Sequence, residues 1–361
     1  ALSTGSVLRF SANANDRRLQ MQGFNQTLGG VDSTAATGGT LIIEAASDNV
    51  SDAPATLTLN VAAGQSHNFS GIVRNASGTA TNSALTLIKD GAGTQVLSGA
   101  GVTYSGNTTI NAGVLEFAGA NSVANNSAIA LGGGTVRFSG GGTRSNTISG
   151  SGNLEKTGAN TLTLSGNNTY TGTTTVSGGL LIVNGDQSAA TGVLNVSGSA
   201  TLGGTGTIGA ATTISGIHSP GNSAGVQTFA SDLTYSGTPT VQWELTANTT
   251  TQASPTPVFD QIVVNGNLDF AVATTLTLNF ALAESTVDWS SGLWANDITG
   301  ASGWLVYDVA GSLSNFQNLS LSVENWADGD GVLLQSVWAG SSFSLFNDGI
   351  NSDVYLNYAV P

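Results

Sequence analysis

Two short stretches of this chain gather oxygen donors around glycines: Asn325-Trp326-Ala327-Asp328-Gly329-Asp330-Gly331 and Asn347-Asp348-Gly349-Ile350-Asn351-Ser352-Asp353. Calcium takes about six to eight hard oxygens from a flexible loop. Asp328, Asp330, Asp348 and Asp353 are therefore the candidate calcium ligands. Neither stretch completes a helix–loop–helix calcium loop, because the terminal Glu is missing, and an ordinary acidic turn uses the same residues. Asp48, Asn49 and Asp52 form a weaker grouping of the same kind.

Carboxylate pairs could also hydrolyse a polysaccharide, which needs two of them roughly 5–10 Å apart across the bond. By position, Asp328 with Asp330, or Asp260 with Asp269, are the pairs to consider, although solvated turn acids look the same in sequence. The only two histidines, His67 and His218, lie near Ser and Asn at predicted turns and read as surface imidazoles. With no cysteine, there is neither a disulfide nor a thiolate nucleophile. Gly132-Gly133-Gly134 lacks the Lys-Ser/Thr and the helix that a phosphate loop requires. No catalytic residue and no cofactor beyond calcium is assigned.

The elements that would position these residues are strands. The chain has 361 residues, 49 of them glycine, and only 8% are charged, so Ser, Thr and Asn supply the polar surface. Runs such as Ala55-Thr56-Leu57-Thr58-Leu59-Asn60-Val61 and Thr161-Leu162-Thr163-Leu164 alternate with period two between Gly, Asn and Ser punctuation, the signature of short strands. No window shows helical apolar spacing, and no apolar run approaches the roughly 18 residues that span a bilayer. The opening Ala1-Leu2-Ser3 resembles what a signal peptidase leaves.

Charge is distributed unevenly. The eight basic residues all precede residue 157, with eight acids among them. The remaining fourteen acids follow, with no Lys or Arg. A net charge of −14 argues against nucleic acid and anionic lipid as partners. Composition changes near His218-Ser219-Pro220-Gly221-Asn222, after which all six tryptophans occur. The expected division is therefore a Gly/Thr/Asn-rich region over 1–218 and an acidic, aromatic-rich all-β region or cap over 219–361. Alternatively, one coil widens there. The aromatics of 289–338, if exposed, would stack on sugars; more often such residues fill a core.

An internal repeat is the strongest signal. Lys89-x-Gly91-x-x-Thr94-x-x-Leu97-Ser98-Gly99 returns as Lys156-x-Gly158-x-x-Thr161-x-x-Leu164-Ser165-Gly166, 67 residues later. Tyr104 through Ile110 then answers to Tyr170 through Val176, and Gly113-Val114-Leu115 to Gly179-Leu180-Leu181. Such a unit cannot bury its apolar face alone and must stack on a neighbour, as in a solenoid. Leu97, Ile110, Leu115, Leu164, Val176 and Leu181 are expected inside, with roughly ten coils of about 20–25 residues before residue 218.

The segments 89–117 and 156–183 resemble the autotransporter-associated β-strand repeat, also called the passenger-associated transport repeat. Ser219-Pro220-Gly221-Asn222-Ser223-Ala224-Gly225 and Phe259-Asp260-Gln261-Ile262-Val263-Val264-Asn265-Gly266 resemble segments that follow it. The resemblance implies a right-handed parallel β-solenoid, secreted to a bacterial surface, with no catalytic residue to transfer. No translocator barrel is expected in the residues that remain. The ending Val354 to Pro361 resembles the approach to a PEP-CTERM sorting tail, which would imply processing and release.

Three functions stay open. The chain is expected to be a structural subunit of an extracellular fibre or matrix, with a carbohydrate-binding adhesin and a polysaccharide-degrading β-helix enzyme as alternatives. Its partners would be copies of itself and extracellular polysaccharide. A solenoid ends in unpaired strand edges. Arg9, Arg17 and Arg18 near one end, and Tyr355 and Tyr358 near the acidic other, are the residues expected to meet head to tail.

Overall fold

The computed structural model describes residues 5–11, 16–33, 40–46, 53–76, 83–119, 127–250, 257–280, 285–328 and 330–361. The weaker grouping Asp48, Asn49 and Asp52 lies outside them. The chain forms short parallel strands coiled into a three-faced β-solenoid, in two compact units. One comprises residues 1–179 and 189–192, the other 180–188 and 193–361. The described helix is confined to single turns, such as Leu334–Val337.

In the first unit one face stacks Ser66–Phe69, Thr94–Leu97, Val114–Phe117, Thr135–Phe138, Asn153–Lys156 and Thr174–Val176, all parallel. A second face stacks Gln26–Leu28, Ala55–Asn60, Leu85–Asp90, Thr108–Ile110, Ile129–Leu131 and Ile148–Gly150. The third carries Arg17–Gln20, Leu41–Ala46 and Ile72–Ala76, and later Gly142–Arg144 and Thr161–Leu164. Alternation puts one column of each strand inside. Phe69, Leu97, Phe117 and Phe138 form such a column, and all are buried. The rings of Phe117 and Phe138 stack at 5.7 Å.

Register gives the coil length. Leu97 pairs with Phe117, Phe117 with Phe138, Phe138 with Lys156 and Lys156 with Val176, so these coils hold 20, 21, 18 and 20 residues. The 67-residue repeat is thus three coils of about 20 plus roughly a third of another. The second copy is therefore rotated by one face. Lys89 lies on the Leu85–Asp90 face, whereas Lys156 lies on the Asn153–Lys156 face.

In the second unit the faces are Leu194–Val196, Thr212–Ile214, Leu233–Tyr235, Leu268–Phe270 and Leu313–Ser314; Ala200–Gly204, Ile217–Pro220, Thr240–Glu244, Thr274–Asn279 and Leu319–Asn325; and Thr207–Ile208, Val226–Phe229, Gln261–Val264 and Trp304–Val309. Coils lengthen along the first of these: Leu194 to Thr212 is 18 residues, Thr212 to Leu233 21, Leu233 to Leu268 35 and Leu268 to Leu313 45. The added chain carries the large aromatics. Trp243, Trp289, Trp294 and Trp304 are fully buried and pack edge to face or stacked at 4.5–6.3 Å. The strand Val354–Ala359 ends the parallel ladder by pairing antiparallel with both Trp304–Val309 and Ser342–Asn347. The compositional change at 218–226 falls inside this unit. There Leu202, His218 and Val241 are register partners on one unbroken face.

Candidate functional site

The repeat is built around three devices, each present twice. The first is a lysine turned into the coil. The ammonium of Lys89 donates to the carbonyls of Asp90 (2.7 Å), Gly91 (2.7 Å) and Ala112 (3.2 Å). Lys156 donates to those of Thr157 (2.6 Å), Gly158 (2.9 Å) and Gly178 (3.0 Å). Each lysine therefore closes its own corner and the corner of the next coil. Burial pushes Lys89 down to about 8 and lowers Lys156 as well; the carbonyls favour the charged form at neutral pH.

The second device is the glycine two residues on. Gly91 and Gly158 have φ of +70° and +69°, and a Cβ on Gly91 would meet the Val61 carbonyl oxygen at 2.2 Å. The third is a buried tyrosine whose hydroxyl bonds a threonine hydroxyl four residues later: Tyr104 with Thr108 at 2.7 Å, and Tyr170 with Thr174 at 2.6 Å. These devices fix backbone corners. None presents a reactive group to solvent.

The candidate calcium residues fall in two separate turns. Asp328 is buried, and its carboxylate accepts from the amides of Asp330 (3.1 Å), Val332 (2.8 Å) and Trp289 (3.3 Å), as a turn-capping side chain does. Asp330 is exposed. Asp348 accepts from the amides of Ile350 and Asn351, at 3.1 and 3.0 Å. Asp353 accepts from the amide of Val309 at 3.0 Å, and desolvation raises its pKa, with the charges of Asp308 and Asp348 adding to the shift. Among the described residues no three His, Cys, Asp or Glu side chains gather in a way that could hold a metal ion.

In each carboxylate pair weighed for hydrolysis one member is buried and the other is not: Asp328 with Asp330, and Asp260 with Asp269. Asp260 is buried beneath the loop 219–225, its two oxygens accepting from the amides of Gly225 (2.9 Å) and Glu244 (3.0 Å). Asp269 instead lies on the outer side of its strand and accepts from Asn315 at 2.7 Å. Both histidines correct the surface reading. His67 is 6% exposed and bonds Asp32 at 2.9 Å, and His218 is fully buried. Period-two alternation inside Ser66–Phe69 and Ile217–Pro220 turns each imidazole inward. That alternation was the signal available in the sequence. Of the two roles weighed for the aromatics of 289–338, the tryptophans take the core one: Trp289, Trp294 and Trp304 are fully buried, and Trp326 and Trp338 half-buried.

Of the residues expected to meet head to tail, Arg9 projects outward with Asp32 at 3.9 Å. Arg17 is exposed. Arg18 reaches Asp16 at 3.7 Å and the buried Glu44 at 3.5 Å, a carboxylate that also takes Arg74 at 2.8 Å. Tyr355 is partly exposed, whereas Tyr358 is fully buried and donates to the Trp294 carbonyl at 3.2 Å, so its ring presents nothing to a partner. The sequence reading missed a surface groove of about 790 Å³ in the second unit, lined among others by Leu180, Ile182, Ile217, Asn222, Gln242 and Glu244. No helix of the described chain is long and apolar enough to cross a membrane.

The passenger-associated-transport-repeat family model matches residues 87–117 and 154–183, the two segments that carry the lysine, glycine and tyrosine devices. Over 82 residues the chain is 44% identical to the adhesin BmaC autotransporter of Brucella suis biovar 1 (strain 1330). That stretch is 22% of this chain and 2% of the Brucella protein, so the match covers a small fraction of that relative. The chain carries two passenger-associated transport repeats, and with them it is a secreted, cell-surface or extracellular protein.

Proposed function

We propose, from the premise that the chain carries two passenger-associated transport repeats, that it is a rigid scaffold segment of an adhesin-like protein at a bacterial surface. The observation that carries this is the use of the repeat's polar residues. Lys89, Lys156, Tyr104 and Tyr170 are all spent on holding one coil to itself and to the next. The similarity to an autotransporter adhesin supports the surface role. The reading assigns no catalysis, since in each carboxylate pair weighed for it one member, Asp260 or Asp328, is buried and engaged by backbone amides.

Displaying the chain on a bacterium stripped of its own adhesins tests the proposal. Attachment to epithelial or matrix-coated surfaces should rise above that of cells bearing an unrelated β-protein. Equal attachment counts against the proposal. A glycan array separates direct sugar binding from a purely supporting role.

End-to-end assembly is the finer reading, and one observation favours it. Among the described residues, Arg17–Gln20 and Gln26–Leu28 pair on one side only, and so does Ser342–Asn347. Arg17 stands exposed by the first edges, while Asp308, Asp348 and Asp353 accumulate negative charge near the last. Such edges template strand addition, and opposite charge would set polarity. Sedimentation velocity across a hundredfold concentration range, at low and high salt and with calcium, should show growing species that salt weakens. A monomer throughout excludes this assembly.

A further inference from the structure

Inside the second unit, one chain of hydrogen bonds touches all three faces of the coil. Tyr307, on Trp304–Val309, donates its hydroxyl proton to the Tyr235 hydroxyl at 3.2 Å. Tyr235, on Leu233–Tyr235, bonds Nδ1 of His218 at 2.7 Å. His218, on Ile217–Pro220, bonds through Nε2 to Oε1 of Gln227 at 2.8 Å. Gln227, on Val226–Phe229, donates from Nε2 to the Gly203 carbonyl at 2.9 Å. His218, Tyr235, Tyr307 and Gln227 are all fully buried.

The polarity of this chain is determined by its ends. The Gly203 carbonyl can only accept, so the Gln227 amide nitrogen faces it and the amide oxygen faces His218. That oxygen also only accepts, so Nε2 of His218 carries the proton. A neutral imidazole then has a lone pair on Nδ1, and Tyr235 donates to it. Tyr235 in turn accepts from Tyr307. Every bond in the chain points the same way, from Tyr307 to Gly203. The arrangement requires neutral His218.

We infer that His218 is an acid-sensitive pin: a proton added to its imidazole breaks this one-way chain and loosens the coils around residues 203–235. With Nδ1 protonated, two donors face each other at His218 and Tyr235. Tyr235 can turn its proton only toward Tyr307, whose own proton already points back. Among the described residues Tyr307 has no other hydrogen-bond partner to turn to. The imidazole is also enclosed by rings, with Phe229 edge-on at 5.5 Å, and Phe270 stacks on Tyr235 at 5.4 Å.

The groups that face the imidazole are Tyr235, Gln227 and Phe229, with Tyr307 behind Tyr235; the titratable ones are the two phenols, both raised by burial. No carboxylate or cation among the described residues acts on it, and burial lowers its pKa from 6.5 to about 4. A folded value below the unfolded one means that the unfolded chain binds the proton first. The contribution of neutral His218 is therefore fully present above pH 6.5 and is lost as pH falls toward 4. Buried Asp260, in the same unit, is raised and acts with the opposite sign, so a variant comparison is needed.

All six tryptophans lie in the second unit, so their fluorescence reports its unfolding within the intact chain. Urea unfolding at pH 7.0 and 4.5 should show the folding equilibrium constant of the wild type falling by up to about two orders of magnitude on His218's account. His218→Gln, which keeps an acceptor and a donor, should remove most of that pH dependence. An unchanged pH dependence in His218→Gln overturns the inference. Should that variant not fold, histidine-labelled nitrogen NMR of the wild type decides instead. A neutral Nε2–H tautomer that persists from pH 7 to 5 in folded protein is expected, and titration near pH 6.5 with the fold intact overturns it.

Discussion

Lys89 and Lys156 occupy the same place in the two repeats but lie on different faces of the coil, each with its ammonium on three backbone carbonyls. Rotation by one face leaves the local chemistry unchanged, because every corner offers the same problem. Three carbonyls converge there on a lysine whose side chain is fully buried, and leaving partly buried acceptors without a donor is expensive. Lys89→Met keeps most of the length and volume and removes the donors. It should destabilise the first unit by about 2–4 kcal/mol, and Lys156→Met by a similar amount. Urea unfolding followed by far-ultraviolet circular dichroism gives the number. A loss under about 0.5 kcal/mol would show the ammonium to be dispensable.

Leu164 and Thr163 are neighbours with opposite fates. Leu164 is 2% exposed and points inward, while Thr163 lies on the outer side of the same strand. Leu164→Asp forces a carboxylate into the core and should cost upwards of ~4 kcal/mol, enough to unfold the surrounding coils. Thr163→Asp should stay within about 1 kcal/mol. Equal shifts in melting temperature would contradict the assigned face.

The same alternation decides what the sequence could disclose. The fold was legible because strand period and corner glycines are local features, and Leu97, Ile110, Leu115, Leu164, Val176 and Leu181 are all buried as the repeat implies. Lys89 and Lys156 were legible only as a motif. Lysines in a polar, Gly-rich strand read as surface residues unless each is seen to share a column with apolar register partners, as Lys156 does with Phe138 and Val176. The packing of Trp289, Trp294 and Trp304 depends on coils that lengthen to 45 residues. Those excursions have no period to read. The 790 Å³ groove depends on a loop folding beside a sheet, and nothing local announces it.

On the outside of the first unit, Arg137 bridges two coils. It reaches Glu155 at 2.6 Å and Glu116 at 3.3 Å, the three residues being register partners on adjacent strands. All three side chains are partly exposed, at 17–32%, so water screens the bridge. Arg137→Met should cost about 1 kcal/mol at low salt and less than half of that in 1 M salt. Thermal melts at the two salt concentrations check this. A salt-independent loss would point to packing of the arginine stem instead.

The tryptophans give the last prediction. Trp243, Trp289, Trp294 and Trp304 are fully buried, and the indole N–H groups of Trp243 and Trp294 are bonded to the Asp260 carbonyl and to Asn248. Trp326 and Trp338 are half-buried, their rings lying by Phe343 and the Trp289 backbone. Acrylamide should therefore quench two populations, a protected one of about four indoles and an accessible one of about two. Trp326→Phe with Trp338→Phe should abolish the accessible population and leave the protected one intact. Oligosaccharides added to the wild type should leave the protected emission unchanged, because stacking on a sugar requires an open ring face. Trp294→Ala removes the ring that contacts Trp289, Trp304 and Tyr358, and should cost about 3–5 kcal/mol in the unfolding of the second unit. Quenching of all six tryptophans alike, or sugar-dependent emission that survives in the Trp326→Phe, Trp338→Phe variant, would mean that the cluster is a binding face and not the core of the widened coils.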